Sequence, residues 1–251
     1  MFYTAKRKNN IFDPNSKEPF KLSRSRIEDF IECPRCFYLD RRLGIGRPPE
    51  FPFNLNLAVD RLLKKEFDIH RARGERHPLM KTYGIDAVPF NHPRIDEWRD
   101  PRNGGIKYLH KPTNFLITGG IDDVWVNRKK ELLIVDYKAT SKNEEVNIDA
   151  DWQQSYKRQV EIYQWLFRKN GFKVSDTAYF VYCNGDADKE AFDKKLEFSI
   201  IIIPYKGNDN WIEKAITDAH KCLIGNILPK PARDCDFCRY RRTTREVEKY
   251  F

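Results

Sequence analysis

Apolar residues recur every three or four positions in two long stretches of the chain, and this spacing predicts amphipathic helices. The first helix is expected from about Leu55 to His70, with an apolar stripe formed by Leu55, Val59, Leu62, Leu63 and Phe67. The second is expected from about Asp151 to Lys169, with a stripe formed by Tyr156, Val160, Tyr163 and Phe167. After a polar segment of 22 residues that should be irregular, Ser25 and Glu28 have the spacing of a capping box. That spacing predicts a further helix that ends near Leu43.

Short apolar runs bounded by turn residues predict strands between these helices. The segments NFLITGGIDDVWV and ELLIVDYKAT, joined by the polar turn NRKK, are typical of a β-hairpin, and DTAYFVYC and LEFSIIIIPY predict two more strands. A helix is expected near Asp209 to Gly225. Residues 44–52, GIGRPPEFP, should break the helical pattern, and residues 71–113 should form a loop-rich insertion. This order predicts an α/β fold with a mixed central β-sheet flanked by helices.

Composition and charge narrow the class of protein. A chain of 251 residues with 14% aromatic residues can bury a sizeable core without disulfides. Without an apolar run of about 18 residues or a signal peptide, it is expected to be cytoplasmic and not to cross a membrane. The net charge of +9 favours polyanionic partners such as nucleic acid, because neutralised phosphates release counterions. Charge alone is equally compatible with a basic surface that has no such partner.

Four of the six cysteines form two CxxC pairs. Cys33 and Cys36 form CPRC, and Cys235 and Cys238 form CDFC. In a reducing compartment, thiolates two residues apart are typical metal ligands, because they can converge on one ion. The two remaining cysteines, Cys183 and Cys222, lie in apolar contexts and are expected to be core residues.

The end of one predicted strand carries opposite charges. Residues two apart on a strand point to the same face, so Asp136 and Lys138 should project together. Asp122 should join them across the hairpin, where Gly119 and Gly120 permit close approach of another backbone or a ligand. Carboxylates with a main-chain oxygen suit Mg²⁺ or Mn²⁺, and an ammonium beside them can orient or deprotonate an attacking water. A plain Asp–Lys ion pair at a strand end is the alternative.

The segments GGIDDVWV, LLIVDYKAT and YKRQVEIY, in this order, resemble the motifs of the PD-(D/E)xK nuclease superfamily, in particular its RecB-like branch. The resemblance extends over most of the chain and implies one RecB-like nuclease domain, residues 1–251, with a restriction-endonuclease-like core. It implies catalytic roles for Asp122, Asp136, Lys138, Gln159 and Tyr163. Divalent-metal ligation is implied for Asp122, Asp136 and the main chain of Tyr137.

This chain departs from a further motif that is found in RecB-like relatives. Many relatives carry a helical Gly-x-x-x-His whose histidine binds the metal, whereas this sequence has NLAVD, so Asp60 stands at the histidine position. An aspartate is a harder ligand than imidazole and suits Mg²⁺. Asp60 is therefore expected either to bind the metal or to be a solvated helix residue.

The segment SRSRIEDFIECPRCFYLDRRLG resembles the N-terminal part of RecB-like nucleases that hold an iron-sulfur cluster, including CRISPR-associated exonucleases and AddAB-type nuclease domains. This implies a [4Fe-4S] cluster on Cys33, Cys36, Cys235 and Cys238. Cys36 would replace a C-terminal cysteine, since Thr243 and Thr244 occupy that region. Structural Zn²⁺ is the alternative, because paired CxxC motifs are also common zinc ligands. Either centre would make residues 23–44 and 226–251 one metal-binding subdomain that joins the N-terminal helix to the C-terminal tail.

These resemblances imply a Mg²⁺- or Mn²⁺-dependent deoxyribonuclease, an exonuclease in DNA repair, recombination or the processing of CRISPR and mobile elements. Its expected substrate is DNA that is single-stranded or has a free end. Since the sequence has no GxxxxGK[ST] P-loop, unwinding would need a partner helicase, and a CRISPR-adaptation protein is a second expected partner. A non-catalytic DNA-binding subunit on a nuclease scaffold and an RNA nuclease are the alternatives.

Overall fold

The computed structural model describes residues 6–48 and 53–251, and the chain divides into two compact units. The first, here the cysteine unit, comprises Met1–Phe51, Tyr108–Thr118 and Asn210–Phe251. The second, here the sheet unit, comprises Pro52–Lys107 and Gly119–Asp209. No helix in these described ranges is long and apolar enough to cross a bilayer.

A five-stranded mixed sheet forms the centre of the sheet unit. Its strands, in spatial order, are β2 (Ala87–Pro89), β5 (Asp123–Asn127), β6 (Leu132–Thr140), β7 (Thr177–Gly185) and β8 (Phe198–Lys206). β6 and β7 are parallel, and the other neighbours are antiparallel. The predicted hairpin is confirmed in part as β5–β6, in which Asp123 pairs with Val135, whereas Phe115–Gly119 of its predicted first arm is a separate strand of another sheet. The predicted α/β class with a mixed, helix-flanked sheet is confirmed.

The described helices of the sheet unit are α3 (Asn54–Arg73), α4 (Pro78–Thr82), α5 (Ile95–Arg99) and α6 (Gln154–Lys169), the last preceded by a 3-10 turn, Asp151–Gln153. Two of these four helices, α3 and α6, match the helices predicted from apolar periodicity. α3 ends at Gly74, whose φ of 63° is readily adopted only by glycine. The expected loop-rich stretch, residues 71–113, contains α4, β2, α5 and the whole of β3 (Ile106–His110), so it carries regular structure of its own.

One face of β6 forms the main core of the sheet unit with α3. Leu133, Val135 and Tyr137 alternate along the strand and pack with Leu63 and Phe67 of the helix. Full burial of a Leu or Phe side chain stabilises by about 1.5–3 kcal/mol, so these contacts fix α3 on the sheet. Because side chains alternate, the residues between them point to the opposite face of the sheet.

The cysteine unit has its own helices and most of a second, three-stranded sheet. The sheet order is β1 (Phe20–Ser23), β4 (Phe115–Gly119), β3 (Ile106–His110), with β1 parallel to β4. The helices are α1 (Arg24–Glu32), α2 (Pro34–Arg41), α7 (Ile212–Ile224) and α8 (Asp236–Val247), and a 3-10 turn, Glu248–Tyr250, follows α8.

The single helix predicted from Ser25 to about Leu43 is wrong, because two helices meet at Cys33. Cys33 has extended dihedral angles, φ −159° and ψ 102°, and Pro34 begins α2. A residue before proline avoids the helical region, and proline fits the first turn of a helix because it lacks an N–H. The N-cap of α1 is Ser23 rather than Ser25. Residues 1–5 of the polar N-terminal segment and 49–52 of the predicted helix break lie outside the described residues.

Candidate active site and cysteine metal centre

The β5–β6 hairpin brings the predicted carboxylates together. Asp122 immediately precedes β5, and its Oδ2 accepts a hydrogen bond of 2.9 Å from the backbone N–H of Tyr137. That peptide links Tyr137 to Asp136, so the Asp122 carboxylate lies beside the backbone that carries the second acid. The antiparallel pairing of β5 with β6 therefore sets this arrangement.

Asp136 and Lys138 form a buried ion pair on β6. Asp136 has no exposed surface, and its Oδ2 pairs with Nζ of Lys138. The same ammonium lies 4.4 Å from the ring centroid of Tyr156 on α6. Burial lowers the pKa of Lys138, but the charges of Asp136 and Asp122 outweigh it and raise the pKa overall. Lys138 is therefore an ammonium ion beside the two carboxylates.

Helix α3 adds a third carboxylate and a second lysine. Nζ of Lys64 lies 2.8 Å from Oδ1 of Asp60 and 3.2 Å from Oδ1 of Asp122. Burial and the charge of Asp122 raise the pKa of Asp60, and both acids raise the pKa of Lys64 against the effect of burial. The sequence prediction included Asp60 but missed Lys64, which four-residue spacing on one helix face could have indicated.

The donor chemistry of this site fits a hard divalent ion. Asp60, Asp122, Asp136 and the main-chain oxygen of Tyr137 supply the oxygen ligands that Mg²⁺ and Mn²⁺ prefer. Lys64 and Lys138 pair with the same carboxylates. Within residues 6–48 and 53–251, only the four paired cysteines have ligand atoms close enough together to form a metal-binding group. The oxygens of the three carboxylates are not yet that close to one another. A divalent ion there would replace ammonium partners of the acids.

Gln159 and Tyr163 lie one turn apart on α6, where Nε2 of Gln159 donates to the Tyr163 hydroxyl at 3.3 Å. A Cβ atom at Gly119 would lie 2.6 Å from the Tyr163 ring, so Gly119 leaves room for this tyrosine. A Cβ at Gly120 would lie 2.9 Å from Cα of Pro101, a close backbone approach of the kind predicted from the sequence. The two glycines thus allow close packing around the hairpin.

A buried charge network supports the hairpin from α3 and α5. Asp123 has no exposed surface, and its carboxylate pairs with Arg71 and, at 3.0 Å, with Arg99. The Tyr137 hydroxyl donates to its other oxygen at 2.8 Å. Nε of Arg99 also donates to the backbone oxygen of Asp122 at 3.1 Å. The sequence prediction missed Asp123, although its place directly after Asp122 in a strand marked it as a buried charge.

The four paired cysteines form one centre in the cysteine unit. Their sulfur atoms all lie within 4.8 Å of one another. Individual Sγ–Sγ distances are 3.5 Å for Cys36–Cys238, 3.6 Å for Cys36–Cys235 and 3.8 Å for Cys33–Cys238. A tetrahedral ion with Zn–S bonds near 2.3 Å separates its sulfurs by about 3.8 Å. A cubane cluster holds four irons between its thiolates and needs wider spacing, so the sulfur positions fit a single ion better.

The surroundings of these thiols shift their pKa values in different directions. Burial raises the pKa of Cys33, but the backbone N–H of Ala232, 3.5 Å from Sγ, and other hydrogen bonds lower the pKa to about 7. Burial raises the pKa of Cys36, and burial raises that of Cys238 to about 11. Among the described residues, Cys183 and Cys222 stand outside this group. Cys183 is buried in the sheet core, and Cys222 is half-buried.

Comparison with known proteins now identifies the class. A family model of the PD-(D/E)XK nuclease superfamily matches residues 55–243, which is more than half of the chain. The chain belongs to this superfamily, and it is thus a nuclease-type hydrolase by family. A solved structure, the crystal structure of SSO0001, is similar with a TM-score of 0.38 and 14% sequence identity, covering 84% of this chain and 80% of that chain. A search of curated proteins found no match.

We predict that Asp123→Asn lowers the free energy of unfolding by about 3–5 kcal/mol, because it leaves the buried Arg71 and Arg99 without their full counter-charge. Asp68→Asn is the matched control. Asp68 contacts the same two arginines at 2.9 Å but is half-exposed, so its loss should cost about 1 kcal/mol or less. Urea unfolding followed by circular dichroism measures both values. Equal losses in the two variants would contradict a structural role for the Asp123 network.

Proposed function

We propose that this protein is a Mg²⁺- or Mn²⁺-dependent deoxyribonuclease of the RecB-like branch. The observation that carries the proposal is the meeting of Asp122, Asp136 and Lys138 at one end of the β5–β6 hairpin. Superfamily membership supports phosphodiester hydrolysis, and the net charge of +9 supports a nucleic-acid substrate. DNA rather than RNA, and attack from a free end, follow from the resemblance of the sequence motifs.

Asp122, Asp136 and the main-chain oxygen of Tyr137 would hold the divalent ion, with Asp60 as a further ligand. When bound, the ion supplies Lewis-acid polarisation of the scissile phosphodiester. The Lys138 ammonium, fixed by Asp136 and the Tyr156 ring, orients the attacking water and stabilises negative charge on the phosphate. Gln159 and Tyr163 support this face of α6 or contact the DNA.

The cysteine centre has a structural role in this proposal. Cys33 and Cys36 come from the junction of α1 and α2, whereas Cys235 and Cys238 come from the start of α8, so one centre ties together distant parts of the cysteine unit. The [4Fe-4S] cluster implied by resemblance is one candidate. The Sγ–Sγ distances favour a single Zn²⁺, and we propose zinc as the resident ion.

The biological setting follows from resemblance and charge. None of the six cysteines, all of which lie in the described residues, forms a disulfide, and paired CxxC metal ligands are typical of the reducing cytoplasm that we propose as the location of the protein. A partner helicase or a CRISPR-adaptation protein would deliver single-stranded or end-containing DNA. A non-catalytic DNA-binding subunit and an RNA nuclease are the alternatives, and both are outcomes of the first test below.

We predict that the protein cleaves end-labelled DNA only when Mg²⁺ or Mn²⁺ is added. Asp136→Ala should abolish cleavage and weaken metal binding, whereas Lys138→Ala should bind metal but lose at least about 100-fold in rate. Asp218→Ala and Lys214→Ala, a surface acid–lysine pair on α7, are the matched controls and should cleave normally. Single-stranded DNA, duplex DNA and RNA are compared on one gel. Undiminished cleavage by Asp136→Ala would refute this site, and no cleavage of any substrate would favour the binding subunit.

We predict that Lys64→Met tightens Mn²⁺ binding by about 3- to 10-fold, because it removes an ammonium that competes for Asp60 and Asp122, and tenfold corresponds to about 1.4 kcal/mol. Asp60→Ala should weaken binding, and Asp60→His should recover more with Mn²⁺ than with Mg²⁺. Titration calorimetry without substrate measures these affinities independently of turnover. Lys65→Met, an exposed neighbour, is the control. Unchanged metal affinity in Asp60→Ala would show that Asp60 is a solvated helix residue and not a metal ligand.

We predict that anaerobically purified protein is colourless and contains about one zinc per chain, whereas a cubane would absorb at about 400 nm and contain about four irons. Cys36→Ala should lose the metal and lower the melting temperature, since thiolate ligation is coupled to folding. Cys183→Ala is the control, because it removes a buried thiol outside the centre. Elemental analysis and thermal melts provide the readouts. Normal metal content in Cys36→Ala would exclude Cys36 as a ligand.

A further inference from the structure

A cavity of about 300 Å³ opens beside the cysteine centre and is strongly basic. Seven arginine and lysine side chains line it, and among the described residues that line it Glu246 is the only acid. Six of the basic residues are Arg35, Arg239, Arg241, Arg242, Arg245 and Lys249. Cys235 and Cys238 also border the cavity, so we call it the basic pocket of the cysteine unit.

The cations of this pocket are mostly uncompensated. Arg239 pairs with Asp236 at 2.5 Å. In the part of the chain that the structure describes, Arg241, Arg242 and Arg245 have no ion-pair partner. Closely spaced like charges repel one another, and an anionic ligand relieves this repulsion. The chemistry that the pocket selects is therefore negative charge with several acceptor oxygens, which a guanidinium binds in bidentate fashion.

Helix α8, which carries most of these residues, is not held by a buried apolar face. None of its residues from Asp236 to Val247 is buried. Cys235 is its N-cap, Cys238 lies in its first turn, and the half-buried Phe237 packs against the cysteines. A helix that is polar all round gains little from packing, so the cysteine centre is its main attachment. The arginines of α8 are thus presented to solvent by a helix that is attached mainly through its cysteines and Phe237.

Exposed aromatic residues accompany the basic ones. Tyr240 stands between two arginines of α8, and Tyr250 and Phe251 follow Lys249. These aromatic side chains are 74%, 86% and 105% exposed, so they contribute no core packing. Exposed rings among basic side chains are the features that bind unpaired bases together with their backbone. Duplex bases are stacked on each other and offer no such faces.

We propose that the basic pocket of the cysteine unit binds the phosphodiester backbone of a single-stranded nucleic acid. The pocket is a binding site distinct from the carboxylate residues of the sheet unit. Its role rests on the proposed function in one respect, namely that the substrate is a nucleic acid. DNA and RNA share the backbone chemistry, and the experiment separates them.

The test measures binding alone, in full-length protein carrying Asp136→Asn and without added divalent ions. Fluorescence anisotropy is recorded over a range of salt concentrations with labelled 20-residue oligo-dT, oligo-U and duplex DNA. Replacing Arg241, Arg242 and Arg245 by Gln should weaken single-strand binding at least about tenfold. It should reduce the slope of log affinity against log salt by about 2, since each lost phosphate contact removes about 0.7.

A charge-matched control separates the pocket from general electrostatics. Lys8, Lys17 and Lys111 are exposed residues of the cysteine unit outside the pocket, and their replacement by Gln removes the same charge. This triple variant should change affinity by less than about twofold. Replacing the three pocket arginines by Lys should leave most of the dependence of affinity on salt concentration unchanged, because the charge is retained. This variant therefore distinguishes an effect of charge from an effect of misfolding. Metal content and thermal melts verify that each variant is folded.

Equal weakening by the pocket and control variants would overturn the proposal, and so would loss of duplex binding with intact single-strand binding. Preferential loss with oligo-dT or with oligo-U supports the pocket and identifies the nucleic acid. The binding pocket and the proposed nuclease activity are tested separately. Wild-type protein that binds single strands but never cleaves them would refute the nuclease activity and still support the pocket.

Discussion

The candidate active site depends on the ion pairs and the hydrogen bond that the buried Asp123 carboxylate makes. This carboxylate joins Arg71 of α3, Arg99 of α5 and the Tyr137 hydroxyl of β6 to β5. The acids and lysines of the site sit directly beside these anchor points. Asp122 precedes Asp123, while Asp136 and Lys138 flank Tyr137. A charge with no exposed surface must be fully paired, so this network fixes the relative positions of four elements.

The network also gives the stretch 71–113 a structural purpose. Arg71 lies in the last turn of α3 at the beginning of this stretch, and Arg99 is the last residue of α5 within it. Arg99 contacts both Asp123 and the backbone oxygen of Asp122. Residues that look like a polar loop in the sequence therefore hold the first carboxylate of the site in place. Arg71 and Arg99 are turned inward to a buried acid rather than outward to solvent.

Local sequence patterns were sufficient for most of the fold and for part of the site. The hairpin, α3 and α6 were predictable because their apolar periodicities are long and regular. The CxxC pairs and the Asp-x-Lys of β6 were predictable because their spacing has chemical meaning. The break at Cys33 was missed because the capping signal at Ser25 was weighed above the restriction that Pro34 places on its predecessor. Local patterns mark Lys64 and Asp123 as residues of interest but not their partners. The contact of Lys64 with Asp122, the ion pairs of Asp123 and the parallel pairing of β1 with β4 join distant residues, which no local pattern encodes.

The two candidate metal sites of the chain differ in the softness of their ligand atoms. Thiolates in the cysteine unit select soft or borderline ions, whereas the carboxylates of the sheet unit select hard ones. In the proposed function, this difference would let a structural ion and a catalytic ion occupy one polypeptide without exchange. Loss of the first would affect folding, to which thiolate ligation is coupled, whereas loss of the second would affect reactivity.

The interleaving of the two units along the chain has a consequence for biosynthesis. The sheet unit consists of Pro52–Lys107 and Gly119–Asp209, whereas the cysteine unit needs Asn210–Phe251 as well as the segment before residue 52. On the ribosome, every residue of the sheet unit is therefore synthesised before Cys235 and Cys238. Cys33 and Cys36 spend that interval as an incomplete ligand pair. The order of synthesis thus favours early assembly of the sheet unit, and metal capture by the cysteines, as proposed above, would be a late event in the maturation of the protein.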